Sequence, residues 1–242
     1  MGYEKAAHLY DLFDTKENIG FFYHYGSEAG EILDIGAGTG RIAIPLAERG
    51  AKVICVEPSP GMRKEFQNKL SERPDLLRNI ELITGDARSF DLDRTFPAAF
   101  LSGTFDHFLD DEERLKSLQN IAKHLKPDGK LIFDVFIGLM RDSPLSAAGK
   151  VTKGDTEYRR FVGDRILPDE KMEVLLVFET YESGKLKERI EERSIVGIIH
   201  RKHLHQLLRK SGFEVKNEFG NYDFSEFKEG DSLLIIEAIK KK

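Results

Sequence analysis

Residues able to do chemistry gather in three short runs. In Leu33-Asp34-Ile35-Gly36-Ala37-Gly38-Thr39-Gly40 an aspartate precedes three alternating glycines. Glycines after a strand let the backbone approach a ligand, and the helix N-terminus behind them favours negative charge. A tight structural turn is the alternative. The nicotinamide fingerprint Gly-x-Gly-x-x-Gly does not fit, because its third glycine would fall at Arg41. Asp34 would repel a pyrophosphate and suits a cationic ligand. Glu57, closing the next apolar run, can accept two hydrogen bonds from a ribose diol, or cap the helix that follows. Pro58 adjoins it, and Met62 lies one turn on, against an adenine face or in the core. In Thr84-Gly85-Asp86-Ala87-Arg88, Asp86 can accept from the exocyclic amine of adenine while the Ala87 backbone reads the ring edge. As a turn residue, Asp86 would need no ligand.

Further candidates are single residues. His107, in Thr104-Phe105-Asp106-His107, is a candidate general base or a packing residue. Tyr10 and Tyr222 can close over a ligand or pack a lid. His200 and His203 share a helix face while His205 points away, so no metal site is expected. Arg201, Lys202, Arg209 and Lys210 read as a solvated helix face.

The elements that position these residues alternate. Extended runs are expected at Glu31–Ile35, Lys52–Val56, Ile80–Ile83, Ala98–Ser102 and Lys130–Phe136. Helices are expected at Ala6–Phe22 (ending near Gly20), at Arg41–Arg49, after Ser59-Pro60, and after the capping-box pair Asp110 and Glu113. This alternation makes a doubly wound, mostly parallel sheet. After about residue 150 it breaks. Glu157–Val162, Lys171–Tyr181 and Glu188–Ile198 read as neighbouring strands without helices, an antiparallel β insertion after the fifth strand. A helix over His200–Lys210 and strands at Phe213–Phe219 and Leu233–Lys240 complete seven strands. The division expected is 1–142 with 199–242 as the ligand-binding domain and 143–198 as the insertion. The path from Phe136 to Phe213 far exceeds the roughly dozen residues a crossover needs, so the insertion is expected to roof an acceptor pocket or to form a homodimer interface.

The 242 residues suit one α/β domain with a modest insertion, and 40% hydrophobic content supports a core. The net charge of −5 disfavours nucleic acid as a partner. One cysteine, Cys55, excludes a disulfide framework and points to a reducing, cytoplasmic setting. No apolar run approaches a membrane span, so no membrane partner is expected.

Taken in order, Leu33–Gly40, Val56-Glu57-Pro58-Ser59, Gly85-Asp86-Ala87 and Leu125-Lys126-Pro127-Asp128-Gly129 resemble the signatures of class I S-adenosylmethionine-dependent methyltransferases. Leu9-Tyr10-Asp11, the insertion and Gly220-Asn221-Tyr222-Asp223 resemble the small-molecule branch that includes glycine N-methyltransferase and the deoxysugar amine dimethyltransferases. The resemblance implies a Rossmann-like α/β fold and S-adenosylmethionine as cofactor, leaving as S-adenosylhomocysteine. Gly36, Ala37 and Gly38 would approach its methionine half, with Asp34 ordering the loop or meeting the ammonium. Glu57 would hold the ribose, with Pro58 and Met62 beside it, and Asp86 and Ala87 would frame the adenine. Ser102 and Phe105 would line the sulfonium wall, and Tyr10 and His107 would serve the methyl acceptor. Asp128 departs from the family's usual second glycine. The Asp/Asn-Pro-Pro-Tyr motif is absent from Leu101-Ser102-Gly103-Thr104, as is a cysteine after the fourth strand, which disfavours adenine-amine and cytosine-C5 methylation. A small-molecule amine acceptor is the leading expectation. A tRNA or protein methyltransferase and a cofactor-binding protein without turnover are the alternatives.

Overall fold

Apolar runs bounded by glycine or proline become the strands of two sheets in the computed structural model, which describes residues 4–13, 16–138 and 140–241. Strands β1 (Glu31–Ile35), β2 (Lys52–Glu57), β3 (Ile80–Thr84), β4 (Phe96–Leu101) and β5 (Leu125–Phe136) precede the insertion. The insertion holds β6 (Ser143–Lys153), β7 (Thr156–Leu167), β8 (Lys171–Glu182) and β9 (Lys185–Gly197). Strands β10 (Phe213–Phe219) and β11 (Leu233–Lys240) follow. The main sheet has the order β10-β11-β5-β4-β1-β2-β3, with β11 antiparallel to both its neighbours and the others parallel. The strand order reverses between β1 and β4. At such a switch point the loops leaving neighbouring carboxyl ends diverge and open a crevice.

Helices cover both faces. α2 (Glu17–Ala29), α3 (Ala43–Glu48) and α4 (Pro60–Glu72) send Phe22, Leu46 and Phe66 against Ile32, Val53 and Phe100. α5 (Asp111–Lys123) and α6 (Arg201–Lys210) send Leu118, Ile121 and Leu207 against Leu33, Val56 and Phe133. Alternate residues of one strand thus feed two cores, as a sheet buried on both sides requires. The expected caps form. Ser59 Oγ accepts from the Met62 N–H at 3.1 Å, and Asp110 accepts from the Glu113 N–H at 2.9 Å. Glu113 reaches back to the N–H of Leu109, one residue before the cap. Asp128 has φ +61°, a left-handed conformation that glycine adopts more readily.

Three expectations are corrected. The helix foreseen over Ala6–Phe22 is α1 (Ala7–Tyr10) followed by α2, and its residues 14 and 15 lie outside the described residues. It divides because Leu9, Leu12 and Phe13 pack on the insertion while Phe21, Phe22 and Tyr25 pack on the main sheet. Helix α2 runs through Gly20 and stops at Gly30, whose φ of +72° is the true C-terminal signal. The insertion has four strands and not three. The missed β6 is an exposed edge without hydrophobic alternation.

Candidate active site at the switch point

Loops leaving β1, β2, β3 and β4 converge on one pocket. It is lined by Asp34, Gly36, Ala37, Gly38, Glu57, Pro58, Met62, Asp86, Ala87, Ser102, His107 and Tyr10, all expected from the sequence, and by Thr39, Arg41, Arg88 and Phe108 among others. Phe105 is the exception. It is 1% exposed and packs its ring 4.9 Å from Phe133 and 5.4 Å from Phe108. The short 3-10 turn Phe105–His107 drives Phe105 into the core and leaves Phe108 on the wall.

The glycine loop is laced to the end of β2. Gly36 N–H donates to Val56 O at 2.8 Å, and a Cβ on Gly36, whose φ is +71°, would run into the Thr104 side chain. Glu57 is 4% exposed, and its two oxygens accept from the N–H groups of Gly38 and Ser59, each at 2.8 Å. Burial pushes its carboxyl up, while those two N–H groups pull it down. A carboxylate offers about four acceptor directions, so room remains for a diol.

Asp34 is 2% exposed, and its Oδ2 carries no hydrogen bond among the described residues. Burial pushes its carboxyl up to about 7, Arg41 opposes the rise, and Glu57 adds to it. A buried acceptor without a partner invites a cation. This orphaned oxygen, the glycine cradle and the diol-ready Glu57 fit the ammonium, backbone approach and ribose of S-adenosylmethionine. Asp86 faces the same pocket already engaged. Its Oδ1 accepts from Arg88 N and Nε, and its Oδ2 from Arg88 NH2 at 2.6 Å, which holds the carboxyl below its ordinary value. One acceptor direction is left for an adenine amine.

Sequence reading assigned no site role to Arg41, which lines the pocket, or to Asn18 and Asp134, which are hydrogen-bonded behind it. Arg41 donates to Asn18 Oδ1 at 2.6 Å and to Ser102 Oγ at 3.3 Å. Its position directly after the third glycine is the one signal that marked it. Burial pushes the His107 imidazole below its ordinary value, so the ring is neutral at pH 7. His203 bonds to Asp111 and His205 to Glu218, on separate carboxylates. The insertion supplies none of the described residues that line the pocket and packs on α1, whose Tyr10 does line it. Ala6 and Leu9 pack on Leu176 and Phe178, and Glu192 of β9 accepts from the N–H groups of Lys5 and Ala6. On the other side Asp11 accepts from Thr39 Oγ1 at 2.7 Å and from Lys69.

Residues 32–129 match the protein family described as a methyltransferase domain. Among curated proteins the chain is similar to a cypemycin N-terminal methyltransferase of Streptomyces sp, 33% identical over 139 residues covering 54% of each chain. The match therefore spans about half the length of that relative. Among solved structures it is similar to the CcbJ methyltransferase from Streptomyces caelestis, with a TM-score of 0.82, 17% identity and coverage of 99% and 97%. It is also similar to CalS10 of Micromonospora echinaspora, an amino pentose methyltransferase solved with its cofactor bound, with a TM-score of 0.75, 18% identity and coverage of 97% and 95%. At these identities the structural likeness speaks for the fold. No helix among the described residues is long and apolar enough to cross a membrane.

Proposed function

We propose that this chain, whose residues 32–129 match a methyltransferase domain, transfers a methyl group from S-adenosylmethionine to the amine of a small molecule. The carrying observation is Asp34 Oδ2, a buried acceptor without a partner among the described residues, lining the same pocket as Glu57. Asp34 would meet the cofactor's ammonium, Arg41 its carboxylate, Glu57 its ribose diol and Asp86 with Ala87 its adenine. Bound there, S-adenosylmethionine supplies an electrophilic methyl group on a sulfonium.

The chain's contribution is placement. Holding the acceptor in line with a good leaving group can account for roughly 7–11 kcal/mol of barrier. An ammonium must shed a proton before its nitrogen can attack, and neutral His107 on the pocket wall can take it. Tyr10 closes the pocket from α1. Residues 143–198 act as the acceptor-side roof by gripping α1 through Glu192 and Phe178. An amino-sugar-like acceptor has the CalS10 likeness in its favour. A second reading, a peptide's N-terminal amine, has the Streptomyces relative in its favour. Incubation with methyl-labelled cofactor and separate pools of metabolites, peptides and tRNA tests both. Label confined to tRNA would refute both.

A further inference from the structure

A chain of hydrogen bonds crosses the carboxyl edges of β4 and β5 behind the pocket wall. Asp134, on β5 and 4% exposed, accepts from Gly103 N–H at 2.6 Å, Ser102 Oγ at 3.2 Å and Tyr222 OH at 2.8 Å. Ser102 Oγ also receives Asn18 Nδ2 at 3.1 Å and Arg41 NH2 at 3.3 Å. A hydroxyl has one proton and two lone pairs. Since the Ser102 proton goes to Asp134, both lone pairs turn toward Asn18 and Arg41. The orientation of the Ser102 hydroxyl thus depends on Asp134 accepting. Tyr222 arrives from the loop between β10 and β11, where Phe224 adopts φ +66°, a costly conformation for a bulky side chain. Phe224 packs 4.6 Å from the Phe21 ring and 5.7 Å from Phe219, contacts that fix the loop and with it Tyr222.

We propose that Tyr222 is a positioning residue of the cofactor pocket, which through Asp134 and Ser102 aims the Arg41 guanidinium at the cofactor's carboxylate. The proposal rests on the reading of the pocket given above. Tyr222 is not among the residues that line that pocket. Its loss changes one end of the ligand site and leaves the ribose and adenine contacts of Glu57 and Asp86 alone.

This selectivity is the test. Tyr222→Phe keeps the ring and removes the hydroxyl. Calorimetry should show S-adenosylhomocysteine binding the variant about tenfold more weakly, while methylthioadenosine, which lacks the amino-acid portion, binds both proteins equally. Asp134→Asn should show the same selective loss, and the double variant should be no worse than the worse single one, as members of one network behave. Thermal melts identify the temperature at which each variant is folded. Equal weakening of both ligands, or of neither, would overturn the proposal while leaving the cofactor reading intact. A wild-type protein that binds neither ligand would overturn both.

Discussion

Replacing Glu57 by alanine should damage the protein in two separable ways. Each Glu57 oxygen holds one backbone N–H at 2.8 Å, and the side chain is almost fully buried. The substitution strands the N–H groups of Gly38 and Ser59. Each buried donor without a partner costs about 1–3 kcal/mol, and water entering from the pocket favours the lower end, giving about 2 kcal/mol in all. Cofactor affinity falls as well, because two ribose hydroxyls lose charge-assisted bonds, about 1.5–3 kcal/mol or roughly ten- to a hundredfold. Glu57→Gln keeps one acceptor oxygen but turns an amide N–H toward one of the two backbone donors, so it should lose most of the affinity and less of the stability. Urea unfolding followed by circular dichroism measures the first effect, and calorimetry with S-adenosylhomocysteine on folded protein the second. Unchanged affinity in the alanine variant refutes the ribose assignment. Unchanged stability refutes the claim that Glu57 holds the loop.

Asp34, with its carboxyl at about 7, is mostly protonated at pH 5.5 and ionised at pH 8.5. A cationic ligand prefers the carboxylate, so affinity should climb as pH rises through about 7 and binding below that should release a proton. In Asp34→Asn the climb should vanish, and a climb that survives would assign the titration elsewhere. The same raised carboxyl means that Asp34 costs stability as pH rises from its unfolded value of 3.8 toward about 7, so Asp34→Asn should narrow the stability gap between pH 5 and pH 8. His107→Asn should lower turnover roughly 10²–10⁴-fold with little change in cofactor affinity, and full turnover would remove it as the base. Phe105→Ala should cost about 3–5 kcal/mol as a core cavity while the folded fraction binds cofactor normally. Weaker binding there would restore Phe105 to the pocket.

Much of the main sheet was legible because its strands are short apolar runs punctuated by glycine and proline, a signal that survives without tertiary knowledge. Ile32 and Leu33 sit on opposite faces, and both are apolar since both faces are covered. The loop residues were legible for a related reason. In a parallel sheet every strand's carboxyl end falls on one edge, so Asp34, Glu57 and Asp86 had to converge. What stayed hidden depends on lateral order. Asn18, Ser102, Asp134 and Tyr222 are far apart in the chain and meet because β4 lies between β1 and β5. Phe105 was expected on the wall by resemblance alone, and the 3-10 turn Phe105–His107, which rotates neighbouring side chains by about a third of a circle, sends it into the core instead. Strand β6 escaped notice since Ser143–Lys153 owes its extension to pairing with β7 and not to its own pattern.

Incubation of the wild-type protein and deuteromethyl-labelled S-adenosylmethionine with a small-molecule metabolite extract and, separately, a tRNA pool, followed by mass spectrometry, tests the central claim most directly. The account predicts the heavy methyl on the nitrogen of a small amine, and a much lower yield at sub-saturating cofactor when Glu57→Ala, assayed where it is folded, replaces the wild type. Heavy methyl found in tRNA alone, or an equal yield from the Glu57→Ala variant, would contradict it.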